Sequence, residues 1–245
     1  MSVTDTVEKT TDGAILYDSD VLSQMSEQMF VSSGWVLANS VQGILNSAGR
    51  GNTVIVSDGI NEFVLRHYLR GGFPSRIIKD TYFWTGEACT RSFREFRLLS
   101  KLRNRGLPVP QPVGARYCRS GLIYRADLLT RRIPGICSLA ERIIKRSADT
   151  KFWWGIGRNL RRFHLENVYH ADMNAYNVQL DSDDNLYLLD FDRGRFRKPG
   201  TWMQQNLACL NRSLLKIASL DKRAIFSQSE WDALLAGYFS ESRSA

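Results

Sequence analysis

Histidine and cysteine are scarce in this sequence, at three and four of 245 residues. The cysteines Cys89, Cys118, Cys137 and Cys209 are never closer than the 19 positions between Cys118 and Cys137, and no C-x-x-C pair occurs. A zinc site or a disulfide framework is therefore not expected, and the thiols read as reduced and buried. No stretch approaches the ~18 consecutive apolar residues of a membrane span. The polar, acid-bearing segment from Met1 to Gly13 lacks the apolar centre of a signal peptide, so the chain is expected to stay in the cytosol. Internal repeats and low-complexity tracts are missing too, as is any Pro/Gly/Ser linker able to separate independent domains. Pro108, Pro110 and Pro112 flank an extended stretch rather than a tether.

What is present is globular. Hydrophobic residues make up 43% and charged ones 24%, which excludes a disordered or fibrous chain. The length fits one large domain or a compact two-lobed one, and such a chain buries roughly 70% of its unfolded surface without a staple. The unusual quantity is a net charge of +8. It points to a polyanionic partner: nucleic acid, an anionic membrane face or a phosphorylated substrate. No aromatic-interleaved basic repeat or nucleic-acid-binding motif accompanies it, so nucleic acid is not expected.

Periodicity divides the chain. Thr53 to Val56 and Glu62 to Tyr68 flank the turn Ser57-Asp58-Gly59 and predict a hairpin. Val113 to Tyr117 and Leu122 to Leu129 predict a second one. Between them Phe93, Phe96, Leu99 and Leu102 give a helix over Arg91 to Arg103, stopped by Gly106 and Pro108. Thr150 to Asn167 is an amphipathic helix with Trp153, Ile156, Leu160 and Phe163 on one side. Short strands at Val178 to Leu180 and Leu186 to Leu189 surround an Asp-rich turn, and helices follow over Trp202 to Ile217 and Gln228 to Phe239. The fold class is therefore α+β in two lobes: a β-rich lobe with one helix over residues 1–130, and a mainly helical lobe over 131–245.

The chemistry concentrates in the second lobe. His170-Ala171-Asp172 is followed by Asn177, then a strand, a turn, a strand and Asp190-Phe191-Asp192. Phosphoryl transfer needs one carboxylate beside the acceptor hydroxyl, and a second carboxylate with an amide oxygen to hold Mg²⁺ against nucleotide phosphates. Asp172 suits the base, and Asn177 and Asp190 the metal ligands. The short H-x-D-x4-N pattern is weak alone. Its setting, after a long amphipathic helix and before a hydrophobic strand into D-F, resembles the catalytic and metal-binding loops of protein-kinase-like enzymes.

The first lobe can be read against the same template. Gly49 and Gly51 precede a strand and suit either a glycine-rich loop over phosphates or a plain hairpin turn. Arg66, in Phe63-Val64-Leu65-Arg66, stands where such kinases carry V-A-I-K. Arginine and lysine are not interchangeable, so Arg70 and Lys79 are alternative sources of that charge. Glu95 is either the inward carboxylate partner of this cation or a surface partner of neighbouring basic residues. Asp192 replaces the glycine of D-F-G, only about fifty residues follow, and no A-P-E segment occurs. A small molecule or glycolipid, not a protein, is the expected substrate.

Val64-Leu65-Arg66-His67-Tyr68-Leu69-Arg70-Gly71-Gly72, Arg94-Glu95-Phe96-Arg97-Leu98-Leu99, Leu107-Pro108-Val109-Pro110 and the run from His170 to Gly194 closely resemble the bacterial lipopolysaccharide kinases. The likeness covers about Gly49 to Leu214, and it is nearest to members acting on 3-deoxy-D-manno-octulosonic acid (Kdo). It includes arginine at the V-A-I-K position and D-F-D. It implies a protein-kinase-like two-lobed fold, ATP and Mg²⁺, and phosphorylation of a Kdo hydroxyl, the 4-hydroxyl, on the Kdo–lipid A precursor. A heptose of the lipopolysaccharide core is the alternative acceptor, and a catalytically inactive kinase-like scaffold a further one. The location it implies is peripheral, at the cytoplasmic face of a Gram-negative inner membrane. A +8 chain would be held on that anionic surface electrostatically. Candidate contacts are Arg131, Arg132, Arg142, Lys145, Arg146, Arg193, Arg195, Arg197 and Lys198. Phe73, Tyr82, Phe83 and Trp84 suit either the interface or the core.

Overall fold

The computed structural model describes residues 5–40, 51–69, 80–145 and 149–240. The chain divides into two units, Met1–Ile133 and Pro134–Ala245. The architecture is α+β, β-rich in the first unit and mainly helical in the second.

The first unit is built on an antiparallel sheet. Its strands are β1 (Asp5–Lys9), β2 (Gly13–Asp18), β3 (Leu37–Ser40), β4 (Gly51–Ser57), β5 (Glu62–Tyr68), β6 (Tyr82–Phe83), β7 (Pro112–Ser120) and β8 (Ile123–Arg131). The spatial order is β1-β2-β7-β8-β5-β4-β3, with β6 added to β8. Both predicted hairpins form, β4 with β5 and β7 with β8. Helix α1 (Arg91–Asn104) packs on β7 and β8 through buried Phe93, Phe96, Leu99 and Leu102. Each such side chain contributes roughly 1.5–3 kcal/mol by leaving water. The helix stops where the sequence places its breakers. Gly106 adopts a left-handed φ of 69°, and the Leu107 and Gly106 N–H groups donate to Leu102 O and Arg103 O at 3.0 and 2.8 Å.

Alternation sends Phe63, Leu65 and His67 to one face of β5, and Val64, Arg66 and Tyr68 to the other. Phe63 and Leu65 join a core with Ile15, Tyr17, Val56, Val113 and Leu129, and Met25 and Phe30 close it. These last two come from the segment between β2 and β3, whose 3₁₀ turns are Glu27–Phe30 and Ser32–Gly34. Trp35 packs beside them, its ring 5.2 Å from Phe63.

The second unit opens with β9 (Cys137–Ser138) and α2 (Leu139–Lys145). Helix α3 (Thr150–Leu165) is capped by Asp149, whose carboxylate accepts from Phe152 N–H at 2.7 Å. Then come β10 (Val168–Tyr169), β11 (Val178–Leu180), β12 (Leu186–Leu188), β13 (Arg195–Phe196), α4 (Trp202–Leu220) and α5 (Gln228–Phe239). Ser227 and Glu230 form a capping box on α5. Two small sheets result, β12-β11-β9 and β10-β13. Helices α3 and α5 touch backbone to backbone: a Cβ on Gly157 would lie 1.9 Å from Leu234 O, and one on Gly237 1.9 Å from Trp154 O. No other residue type fits there.

Candidate active site

In the second unit, α3 and β10 deliver the chain to His170, and α4 receives it. His170 is wholly buried. Its Nε2–H donates to Leu189 O at 2.9 Å, and its Nδ1 accepts from Asp172 N–H at 3.2 Å. One nitrogen must donate and the other accept, so the ring is neutral, and burial pushes its pKa down accordingly. Phe191 meets the ring edge to face at 4.8 Å. From α4, Asn206 clamps the His170 backbone: Nδ2 donates to His170 O at 2.8 Å, and Oδ1 accepts from His170 N–H at 3.3 Å.

The rest of the loop is fastened by polar side chains. Asn174 Oδ1 accepts from the N–H groups of Tyr176 and Asn177 at 2.9 and 3.0 Å, an Asx turn. Ser213 Oγ accepts from Ala175 N–H at 3.2 Å. Asn177 is buried, and its Nδ2 donates to Asp172 O at 2.8 Å. That bond fixes the amide so that Oδ1 is left as an acceptor with no hydrogen bond among the described residues. Asp172 itself is exposed, and its carboxylate has no partner among the described residues.

The β11–β12 hairpin, closed by Asp181 accepting from Asp183 and Asn185 N–H at 3.0 and 2.9 Å, returns the chain to this loop. Leu189 N–H donates to Asn177 O at 3.0 Å, which brings Asp190 beside Asn177. Asp190 has φ 59° and Arg193 φ 64°, left-handed conformations uncommon outside glycine. Such strain persists only where surroundings impose it and gathers at functional sites.

Among the described residues no three His, Cys, Asp or Glu side chains gather into a metal cage. Mg²⁺ does not need one, because it takes one or two protein oxygens and completes its shell with water and phosphate. The unpaired Asn177 Oδ1 and the neighbouring Asp190 carboxylate fit that demand.

In the first unit, Arg66 on β5 forms an ion pair with the buried Glu95 of α1. Tyr68, two residues along on the same face, donates its hydroxyl to Glu95 Oε2 at 2.7 Å and accepts from Arg66 at 3.0 Å. The structure thus brings Arg66 and Glu95 together, and Glu95 is not a surface partner. Gly51 opens β4 opposite Tyr68. Gly49, Arg70, Phe73, Lys79 and Arg146 lie outside the described residues.

Two expectations are overturned. The thiols are not buried: Cys89 is exposed, and Cys118, Cys137 and Cys209 are half-buried. Arg142 is not a surface cation: it is buried on α2, its fork pairs with Asp184 at 3.0 and 3.2 Å, and it stacks 4.6 Å over Phe152. Lys145 is exposed and lies 3.7 Å from Glu141. Of the aromatic run, Tyr82 is buried, Phe83 exposed, and Trp84 half-buried against Tyr117. Sequence reading missed Asn206, Asn174 and Tyr68. A signal for Asn206 exists, since it sits on the buried stripe between Trp202 and Leu210 at helical spacing.

The chain is similar to several curated proteins over most of its length. It is 44% identical over 207 residues to the 3-deoxy-D-manno-octulosonic acid kinase of Xylella fastidiosa strain 9a5c, covering 84% of this chain and 82% of that one. It is 43% identical over 206 residues to the enzyme of that name from Stenotrophomonas maltophilia strain K279a, covering 84% and 81%. Among solved structures, the bifunctional kinase-methyltransferase WbdD matches with a TM-score of 0.47 at 16% identity, covering 83% of this chain and 46% of that one. The model of the lipopolysaccharide kinase (Kdo/WaaP) family matches residues 36–238, a span that includes every element from β3 to α4, and to this family the chain belongs.

Proposed function

We propose that the chain is a 3-deoxy-D-manno-octulosonic acid kinase that transfers the γ-phosphoryl group of ATP to the 4-hydroxyl of Kdo on the Kdo–lipid A precursor. The observation that carries this reading is the exposed, unpaired Asp172 carboxylate on a loop whose backbone is fixed by His170, Asn174, Asn177 and Asn206. It is supported by 42–45% identity to Kdo kinases of several bacteria. Asp172 accepts the proton of the attacking hydroxyl as the new O–P bond forms and ADP departs. Asn177 Oδ1 and Asp190 are the residues that would hold Mg²⁺. When bound, that ion neutralises charge on the nucleotide phosphates. Arg66, kept extended by Glu95 and Tyr68, supplies a fork for phosphate oxygens. Gly49 and Gly51 allow backbone approach to the same phosphates.

The acceptor lies in an anionic membrane, and a +8 chain associates with the cytoplasmic face of the inner membrane as a peripheral protein. No helix among the described residues is long and apolar enough to cross a membrane. Neither nucleic acid nor a protein substrate belongs to this reading.

The test is transfer from labelled ATP with Mg²⁺ to Kdo-bearing lipid A precursor, beside Asp172→Ala. One phosphate gained on the Kdo 4-hydroxyl, and lost in the variant while nucleotide still binds, is the expected result. Transfer only to heptose-bearing core would refute the acceptor and keep the kinase. Wild-type rates in Asp172→Ala would refute the base.

A further inference from the structure

The pair β10–β13 carries a feature that the proposed chemistry leaves unused. Tyr169 stands opposite Arg195 across this pair. Arg197 is two residues further on, so it leaves the chain on the same side. The guanidinium carbons of Arg195 and Arg197 lie 5.1 and 5.4 Å from the centroid of the one Tyr169 ring. Both arginines are exposed, and neither side chain has an ion pair or hydrogen bond among the described residues. Arg142 and Arg223 of this unit pair with Asp184 and Asp221, and Arg158 and Arg161 each lie over a ring of their own, Trp154 and Tyr238, whereas Arg195 and Arg197 share one ring.

Cations gathered at one ring repel each other, and the negative ring face offsets only part of that. The arrangement becomes favourable when an oxyanion sits between the forks, whose planar donors match a carboxylate or phosphate. The backbone beneath is already fixed. Gly194 N–H donates to Phe191 O at 2.7 Å, Arg197 N–H to Asn167 O at 2.8 Å, and Trp202 Nε1–H to Lys198 O at 2.7 Å. Tyr169 rests edge to face on Trp202 at 5.7 Å. Binding an anion here therefore costs little ordering of the chain. The place is also telling. Tyr169 precedes Asp172 by three residues, so their Cα atoms are at most about 11 Å apart. Arg195 follows Asp190 by five.

We infer that Arg195 and Arg197, presented on Tyr169, form a clamp for an oxyanion of the acceptor and so position its hydroxyl for Asp172. The acceptor's identity rests on the function proposed above, whereas the anion site stands on these contacts alone. Two groups share the required chemistry, the sugar carboxylate and a lipid A phosphate.

The experiment compares wild type with Arg195→Gln/Arg197→Gln and Arg195→Lys/Arg197→Lys, each first shown to keep its thermal midpoint. Calorimetric titration with free Kdo and with its methyl ester reads binding without turnover. Wild type should prefer the acid by about tenfold or more, the glutamine variant should not discriminate, and the lysine variant should fall between. In turnover, the acceptor KM should rise about tenfold or more in the glutamine variant while the ATP KM stays unchanged. If the ester binds as well as the acid, but a Kdo-free lipid A phosphate binds wild type and not the glutamine variant, the phosphate is the clamped group and the clamp stands. Equal KM shifts for ATP and acceptor would overturn it. So would unchanged affinities for all these ligands, or a loss confined to phosphatidylglycerol vesicles. Absence of transfer by wild type would refute the proposed function alone, since the titrations still read the clamp.

Discussion

Asn206 offers the sharpest test of how the Asp172 loop is held. Replacing it with leucine keeps the branching at Cγ and removes both hydrogen bonds to the His170 backbone. Asn206 is 5% exposed and His170 0%, so neither freed group reaches water. An unsatisfied buried backbone group costs about 1–3 kcal/mol. The 2.8 Å bond to His170 O is the stronger and the 3.3 Å bond from His170 N–H the weaker. Together they imply a loss of about 3 kcal/mol, which lowers the urea midpoint by about 1 M. Tryptophan fluorescence reads it, because Trp153, Trp154 and Trp202 lie in this unit. Asn206→Asp keeps an acceptor for His170 N–H but sets a buried carboxylate oxygen against His170 O, so its cost at neutral pH should match or exceed that of leucine. The turnover number should fall by about tenfold or more with ATP affinity retained, because the base is displaced and not removed. A midpoint unmoved by leucine, with unchanged turnover, would refute the view that this amide fixes the loop.

Three further outcomes are expected. Gly237→Ala should cost about 2–3 kcal/mol or more, since its Cβ would meet Trp154 O at 1.9 Å, whereas Gly155→Ala, with nothing within 4 Å, should be neutral or stabilising by about 0.5–1 kcal/mol; thermal melts of both separate packing from helix propensity. Arg66→Met alone should destabilise by about 3 kcal/mol by removing the cation paired with the buried Glu95 carboxylate, and adding Glu95→Leu should recover much of that in a double-mutant cycle; simple additivity would disprove the coupling. Burial pushes the His164 imidazole down to about 4, so the native state rejects a proton that the unfolded chain accepts below about 6.5. Its contribution is intact above pH 6.5 and about 3 kcal/mol is lost as pH falls to about 4. Urea midpoints across that window, compared with His164→Gln, should show a shallower slope in the variant.

Much of this was legible because long periodic runs leave little choice. The stripes of α1 and α3 and the turn-bounded runs of β4, β5, β7 and β8 matched their elements closely. Arg66 and Glu95 were legible as a pair because one sits on a strand face and the other on the apolar side of α1. Other elements gave no period to read. β1 has both faces largely exposed, and α2 spans seven residues, too few for a stripe to be distinguished. Arg142 misled because a cation among basic neighbours reads as solvated, while the structure supplies Asp184 from 42 residues away. Asn206 was hidden for a related reason: an amide on a helix reads as polar surface until its backbone partner, 36 residues upstream, is known.

The match to the family model begins at residue 36, yet the packing begins earlier. Met25, Phe30 and Trp35 roof the side of the first sheet that carries Val56, Phe63, Leu65 and Leu129. A chain trimmed to the matched span would keep every residue proposed for chemistry and lose that roof, together with Ile15 and Tyr17. The bared strands would form a broad apolar patch of the kind that drives self-association. The boundary drawn by ancestry and the boundary needed for a soluble molecule are therefore different places in this chain, and the second lies upstream of the first.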